Sequence, residues 1–78
     1  MDTRVDENLS KHLLIEGLIQ YYKGIIAKHK ANISIYMTKS IGIGEHSDIV
    51  ETIDKELDSM ATAQDKLDVL QKQFIDNG

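Results

Sequence analysis

Taken every seventh residue from His12, the chain reads His12, Ile19, Ile26, Ile33 and Ser40; taken from Ile15, it reads Ile15, Tyr22, His29 and Tyr36. Interleaved, the two rows step by alternating threes and fours, the seam of a helix that packs lengthwise on another helix. Leu13, Leu14, Leu18, Tyr21 and Ile25 lie off that seam and spread round the cylinder. A helix apolar on most of its circumference must be enclosed on several sides, which one neighbouring helix cannot do. The pattern therefore predicts a first helix over about residues 4–39 that joins a homo-oligomer. Leu14, Gly17, Leu18, Tyr21, Gly24 and Ile25 are the expected contact between subunits.

Thr3 followed by Asp6 and Glu7 gives this helix a capping side chain and acids in its first turn. No proline breaks it. Ser10, Gly17, Gly24, Ala31 and Thr38 recur every seven residues opposite the seam. Such a stripe of small side chains admits another backbone, or a flat ligand, at close range. Ile33, Ile35 and Met37 alternate with polar neighbours as a strand would. A lone strand has no partner here, and Ile33 and Tyr36 keep the helical register, so the helix is expected to continue.

Gly42 and Gly44 mark a turn, and Ser47 or Asp48 caps a second helix, with Asp48 and Glu51 spaced as a capping box. Ile41 and Ile43 are expected to fold back over the hairpin end. The second helix is expected over about residues 48–75, with the seam Val50, Ile53, Leu57, Met60, Ala63, Leu67, Leu70 and Phe74 and a charged outer face. A short loop makes the two helices antiparallel neighbours. Folding about residues 43–44 sets Tyr36 near Glu51, Ile26 near Ala61 and Ile15 level with Lys72. The predicted fold is all-α: one long antiparallel helical hairpin spanning residues 1–78, frayed at 1–3 and 76–78, assembling as a helical-bundle oligomer.

Composition supports association. A 78-residue chain folding alone hides only about 60 % of its unfolded surface. With no cysteine, neither disulfides nor thiolate-bound metal make up the difference. No run of roughly 18 apolar residues suggests a membrane span, and the polar start MDTRVDENLS is unlike a secretory signal, so a cytoplasmic location is expected. The net charge of −4 is unevenly spread, +3 over residues 4–39 and −5 over residues 48–76. Two helices of opposite charge lying side by side account for it, and overall acidity argues against a dedicated binder of double-stranded nucleic acid.

The candidate chemistry is sparse. His12, His29 and His46 stand seventeen residues apart, and no HxxxH or HExxH occurs, so no metal site is expected. His29 within the seam is either a register device or a switch that makes stability depend on pH near neutrality. The glycine-rich segment 40–47 lacks GxxxxGK[ST] and GxGxxG, and leads into Glu45 and Asp48, a poor phosphate cradle. No nucleophile and base, and no carboxylate pair, share a spacing that a helix would bring together, so neither catalysis nor a cofactor is expected. The ligand candidate is Tyr21, Tyr22, Lys23, Gly24 and Lys28: an aromatic plane, an exposed backbone and cations within two turns suit a nucleobase and its phosphate. Tyrosines at helical spacing equally serve as core or interface aromatics, and lysines as solvated charges.

The stretch GIGEHSDIVETIDKELD, with ANISIYM before it, resembles short helical proteins encoded by tailed phages, those of marine cyanobacteria among them. In shape and size the chain is also similar to phage sponge proteins of the anti-CBASS and anti-Thoeris helical-hairpin type. Thr52, Leu57 and Met60 loosely echo the second-helix pattern of that group. The resemblance implies a small helical oligomer that sequesters a cyclic-nucleotide immune signal between subunits. It further implies that Tyr21 or Tyr22 stacks on a base while Lys23 or Lys28 pairs with phosphate. A protein-interaction module engaging a host or virion protein is the other function this architecture would serve.

Overall fold

A computed structural model describes residues 3–39 and 46–76. The uninterrupted apolar spacing and the lack of proline let α1 run unbroken over Thr3–Lys39. The alternating segment Ile33–Met37 is helical, as its seam register requires; Ser34 Oγ donates to the Lys30 carbonyl (3.0 Å) and Thr38 Oγ1 to that of Ser34 (2.9 Å). These hydroxyls bond back along their own helix, so they cost it little. The second helix, α2, spans His46–Leu70 and continues into one π-helical turn, Gln71–Asp76. It starts two residues earlier than capping by Ser47 or Asp48 implies. Asp48 sits inside the first turn, where the helix dipole favours an acid. Asp76, expected to fray, accepts a 2.8 Å bond from Gln71 Nε2. Ser40, the turn glycines, Ile41 and Ile43, the side chains of Thr3, Arg4, Val5, Asp6, His46 and Ser47, and Asn77 and Gly78 lie outside the described residues.

The helices form an antiparallel hairpin measuring 65 × 21 × 13 Å, with no strand among the described residues. His29 and Asn32 both reach Glu56. The expected fold-over places them opposite Asp58 and Lys55, so the register agrees to within two residues. On α1 the predicted seam is largely the observed one: Ile15, Ile19, Tyr22, Ile26, His29, Ile33 and Tyr36 are all at least half-buried. His12 departs from it and is exposed. It lies where α2 has given way to its final turn, at the rim of a depression shared with Phe74 and Ile75.

The α2 seam differs from expectation in an instructive way. Val50, Leu57 and Phe74, all assigned to the seam, are exposed, and Ile49, Glu56 and Ile75 take their places. The observed row Ile49, Ile53, Glu56, Met60, Ala63, Leu67, Leu70 steps strictly by fours and threes. The apolar row drawn from the sequence took two threes in succession, Leu57–Met60–Ala63, which a continuous seam cannot follow. At the far end the π turn inserts an extra residue, so Ile75 rather than Phe74 points inward and Phe74 swings out.

Little apolar surface is enclosed. Among the described residues Ile33, Ala63 and Leu70 are buried, while eleven large apolar side chains stay exposed: Leu9, Leu13, Leu14, Leu18, Tyr21, Ile35, Met37, Val50, Leu57, Val69 and Phe74. Fully burying one large apolar side chain contributes roughly 1.5–3 kcal/mol, so two such residues and an alanine leave a lone hairpin thinly stabilised.

Candidate functional site

Three features stand out on this scaffold. The first is polar and lies midway along the seam. His29 Nδ1–H donates to Glu56 Oε2, and Asn32 Nδ2 donates to both carboxylate oxygens at 3.2 and 3.3 Å. His29 and Glu56 keep 15 % and 18 % of their side-chain surface, so the pair is neither dry nor freely solvated. The bond from His29 holds the Glu56 carboxyl below its ordinary value; the Asn32 bond and the charges of His29 and Lys28 act in the same direction, against partial burial. A polar residue in a helical seam needs a polar partner, because an unsatisfied group there costs its full desolvation. That requirement seats Glu56 in the seam and turns Leu57 outward. Reading α2 by apolar positions alone missed Glu56; a row stepping strictly by fours and threes, with an acid facing His29, is the signal that finds it.

The second feature is the proposed ligand set. Tyr21, Lys23, Gly24 and Lys28 are exposed and Tyr22 is half-buried. Tyr21 and Tyr22 meet edge to face, ring centroids 5.5 Å apart at 62°. Helical spacing puts Tyr21, Gly24 and Lys28 on one side of α1, with nothing within 4 Å of a side chain built on Gly24. The structure does not bring Tyr22 and Lys23 to that side. Tyr22 turns toward α2, into a depression lined also by Asp65, Lys66 and Val69, and Lys23 stands beyond the opposite edge of the seam. An aromatic ring, bare backbone and one ammonium group thus converge on an open surface rather than in a cleft.

The third feature is apolar and occupies the end of the hairpin remote from the loop. Two adjoining shallow depressions share Leu18, Leu70 and Phe74; Leu14 and Ile15 extend one of them, Tyr22 and Val69 the other. A third, on the far side of Phe74, is lined by His12, Ile15, Ile19 and Ile75. Phe74, displaced by the π turn, lines all three. Of the expected subunit contacts, Leu14, Leu18, Tyr21 and Ile25 form one ridge along α1 at steps of four, three and four, and all but the half-buried Ile25 are exposed. Gly17 and Gly24 border this ridge and face open space.

Among the described residues no group of three histidine, aspartate or glutamate side chains is placed to hold a metal ion, and no helix is long and apolar enough to cross a membrane. No family model, curated protein or solved structure matches the chain.

Proposed function

We propose that this chain is a non-enzymatic interaction module whose working form is a homo-oligomer of helical hairpins, acting in the cytoplasm. The observation that carries the proposal is the imbalance, among the described residues, between three buried apolar residues and eleven large exposed ones, with Leu14 at 69 %, Val69 at 55 % and Phe74 at 57 % exposure. Soluble monomers rarely present contiguous apolar patches of this kind, and a chain of 78 residues without disulfides gains most from a partner. Assembly leaves the remaining faces to engage a host or virion protein. Light scattering and sedimentation test it: a mass at or above twice 8.8 kDa is expected. A hairpin that stays folded and monomeric at high concentration overturns it.

A specific observation favours a second activity, sequestration of a small anionic nucleotide of the cyclic kind. Tyr21 is 63 % exposed, and Lys28 stands two turns along the same side with bare backbone at Gly24 between them. Stacking on tyrosine and pairing with lysine recognise a base and a phosphate respectively. A panel of cyclic mono- and oligonucleotides is expected to raise the melting temperature by mass action, and Lys28→Ala to abolish the rise. No shift with any member removes this activity.

A further inference from the structure

We propose that the occupant of the Leu14–Leu18–Val69–Phe74 face is a second copy of the chain, laid beside the first with both loops at the same end, so that α1 of each copy stacks on α2 of the other. This arrangement rests on the self-association proposed above and specifies its geometry.

The location of the apolar side chains is the first argument. On this broad side of the hairpin, Leu14, Leu18, Tyr21 and Ile25 from α1 and Val69 and Phe74 from α2 lie in the half remote from the loop, bordered by Glu7, Lys11, Asp65 and Lys66. The loop-proximal half of the same side carries Lys28, Asn32, Lys55, Ser59 and Thr62, with Ile35 its one large exposed apolar side chain among the described residues. Among the described residues the opposite broad side is interrupted along its middle by Glu16, Lys23, Lys30, Asp54 and Asp68, and offers no continuous apolar surface. Two copies meeting face to face have a two-fold axis either along the hairpin or across it. An axis across the hairpin must slide the copies apart lengthwise to bring the apolar halves together. An axis along it sets apolar half on apolar half and polar half on polar half over the full length, with Leu18 over the partner's Val69.

The net charge of each helix points to the same axis, although the charged side chains nearest the contact, Lys28 from α1 and Lys55 and Lys66 from α2, are all basic. Residues 7–39 carry a net +3 and residues 48–76 a net −5. A crosswise axis stacks α1 on α1 and α2 on α2, like charge on like. The lengthwise axis stacks basic α1 on acidic α2. Packed helices lie about 8–10 Å apart, at or beyond the screening length of about 8 Å at physiological salt, so this term is small beside the placement of the apolar side chains.

The area suffices. Half of a face 65 Å by 21 Å is roughly 680 Å², so two copies would bury roughly 1,400 Å² on the apolar half alone, within the 1,200–2,000 Å² of stable complexes. The product is a four-helix bundle in which every helix has antiparallel neighbours.

Because the chain has no cysteine, one engineered thiol can be labelled cleanly. Ser34 is exposed on the side away from the proposed contact. A nitroxide on Ser34→Cys, read by pulsed electron–electron resonance, is expected to give a label-to-label distance of roughly 30 Å. Copies in opposite directions, overlapped on their apolar halves, would place the labels roughly 50 Å apart at 1.5 Å per residue. Leu18→Asp is expected to convert the dimer to a monomer in sedimentation. A distance near 50 Å, or association that survives Leu18→Asp, overturns the arrangement while leaving self-association standing. A monomeric unsubstituted chain overturns both.

Discussion

Leu14→Ala and Ile33→Ala together measure whether the exposed side of the hairpin is covered in solution. Ile33 is 8 % exposed and Leu14 69 % exposed in a single hairpin. Truncating Ile33 removes buried carbons and leaves a cavity, at roughly 2–5 kcal/mol whatever the association state. Truncating Leu14 on a lone hairpin should stay within about 0.5 kcal/mol of neutral. If a second copy encloses Leu14, the 69 % still open to water is what association buries. Scaling the 1.5–3 kcal/mol of a fully buried leucine by that fraction gives roughly 1–2 kcal/mol per chain. At about 4–8 °C per kcal/mol for a domain of 60–100 residues, Leu14→Ala should lower the melting temperature by roughly 5–15 °C. Circular-dichroism melts at protein concentrations about a hundredfold apart provide the assay, since mass action over that range is worth about 2.7 kcal/mol. The Leu14→Ala deficit should be clear at the higher concentration and shrink on dilution, while the Ile33→Ala deficit persists at both. A wild-type midpoint independent of concentration, with Leu14→Ala melting beside it, would refute the reasoning.

Glu56 titrates below about pH 4.5 because its ionised form accepts bonds from His29 and Asn32. A depressed carboxyl stabilises the fold above its unfolded value and loses that contribution as pH falls through the folded value. Urea midpoints should therefore drop on acidification below about pH 4.5, and Glu56→Leu should flatten that part of the profile. Replacing His29 alone by leucine should destabilise, because Glu56 keeps its seam position without its main partner. The double change His29→Leu with Glu56→Leu should recover the loss, and a double-mutant cycle showing no coupling would count against the pair as a register device. Gly17→Ala and Gly24→Ala each add a methyl group where nothing lies within 4 Å, so each should raise thermal stability by up to about 1 kcal/mol through helix propensity. A fall in oligomer mass in either variant would instead place the glycines inside the subunit contact.

The sequence by itself determined the helices and their pairing. The unbroken spacing from Ile15 to Tyr36, the absence of proline and the paired glycines at 42 and 44 leave a long hairpin as the one arrangement that shelters the α1 seam. The α1 seam was legible because isoleucines and tyrosines mark it almost without exception. The α2 seam was not, because apolar residues occupy two adjacent rows there: Val50 and Leu57 in one, Ile49 and Met60 in the other. Which row faces inward depends on what α1 presents, and α1 presents His29, which draws Glu56 in. Phe74 was misplaced for a different reason. A π turn leaves no mark in the apolar spacing, yet it rotates every residue beyond it. Only the tertiary structure could therefore decide that, among the described residues, most of the exposed large apolar side chains, seven of eleven, stand in the half remote from the loop. They do so because a half-polar seam in the middle and a displaced phenylalanine at the end leave that half of the molecule with more apolar surface than two helices can cover.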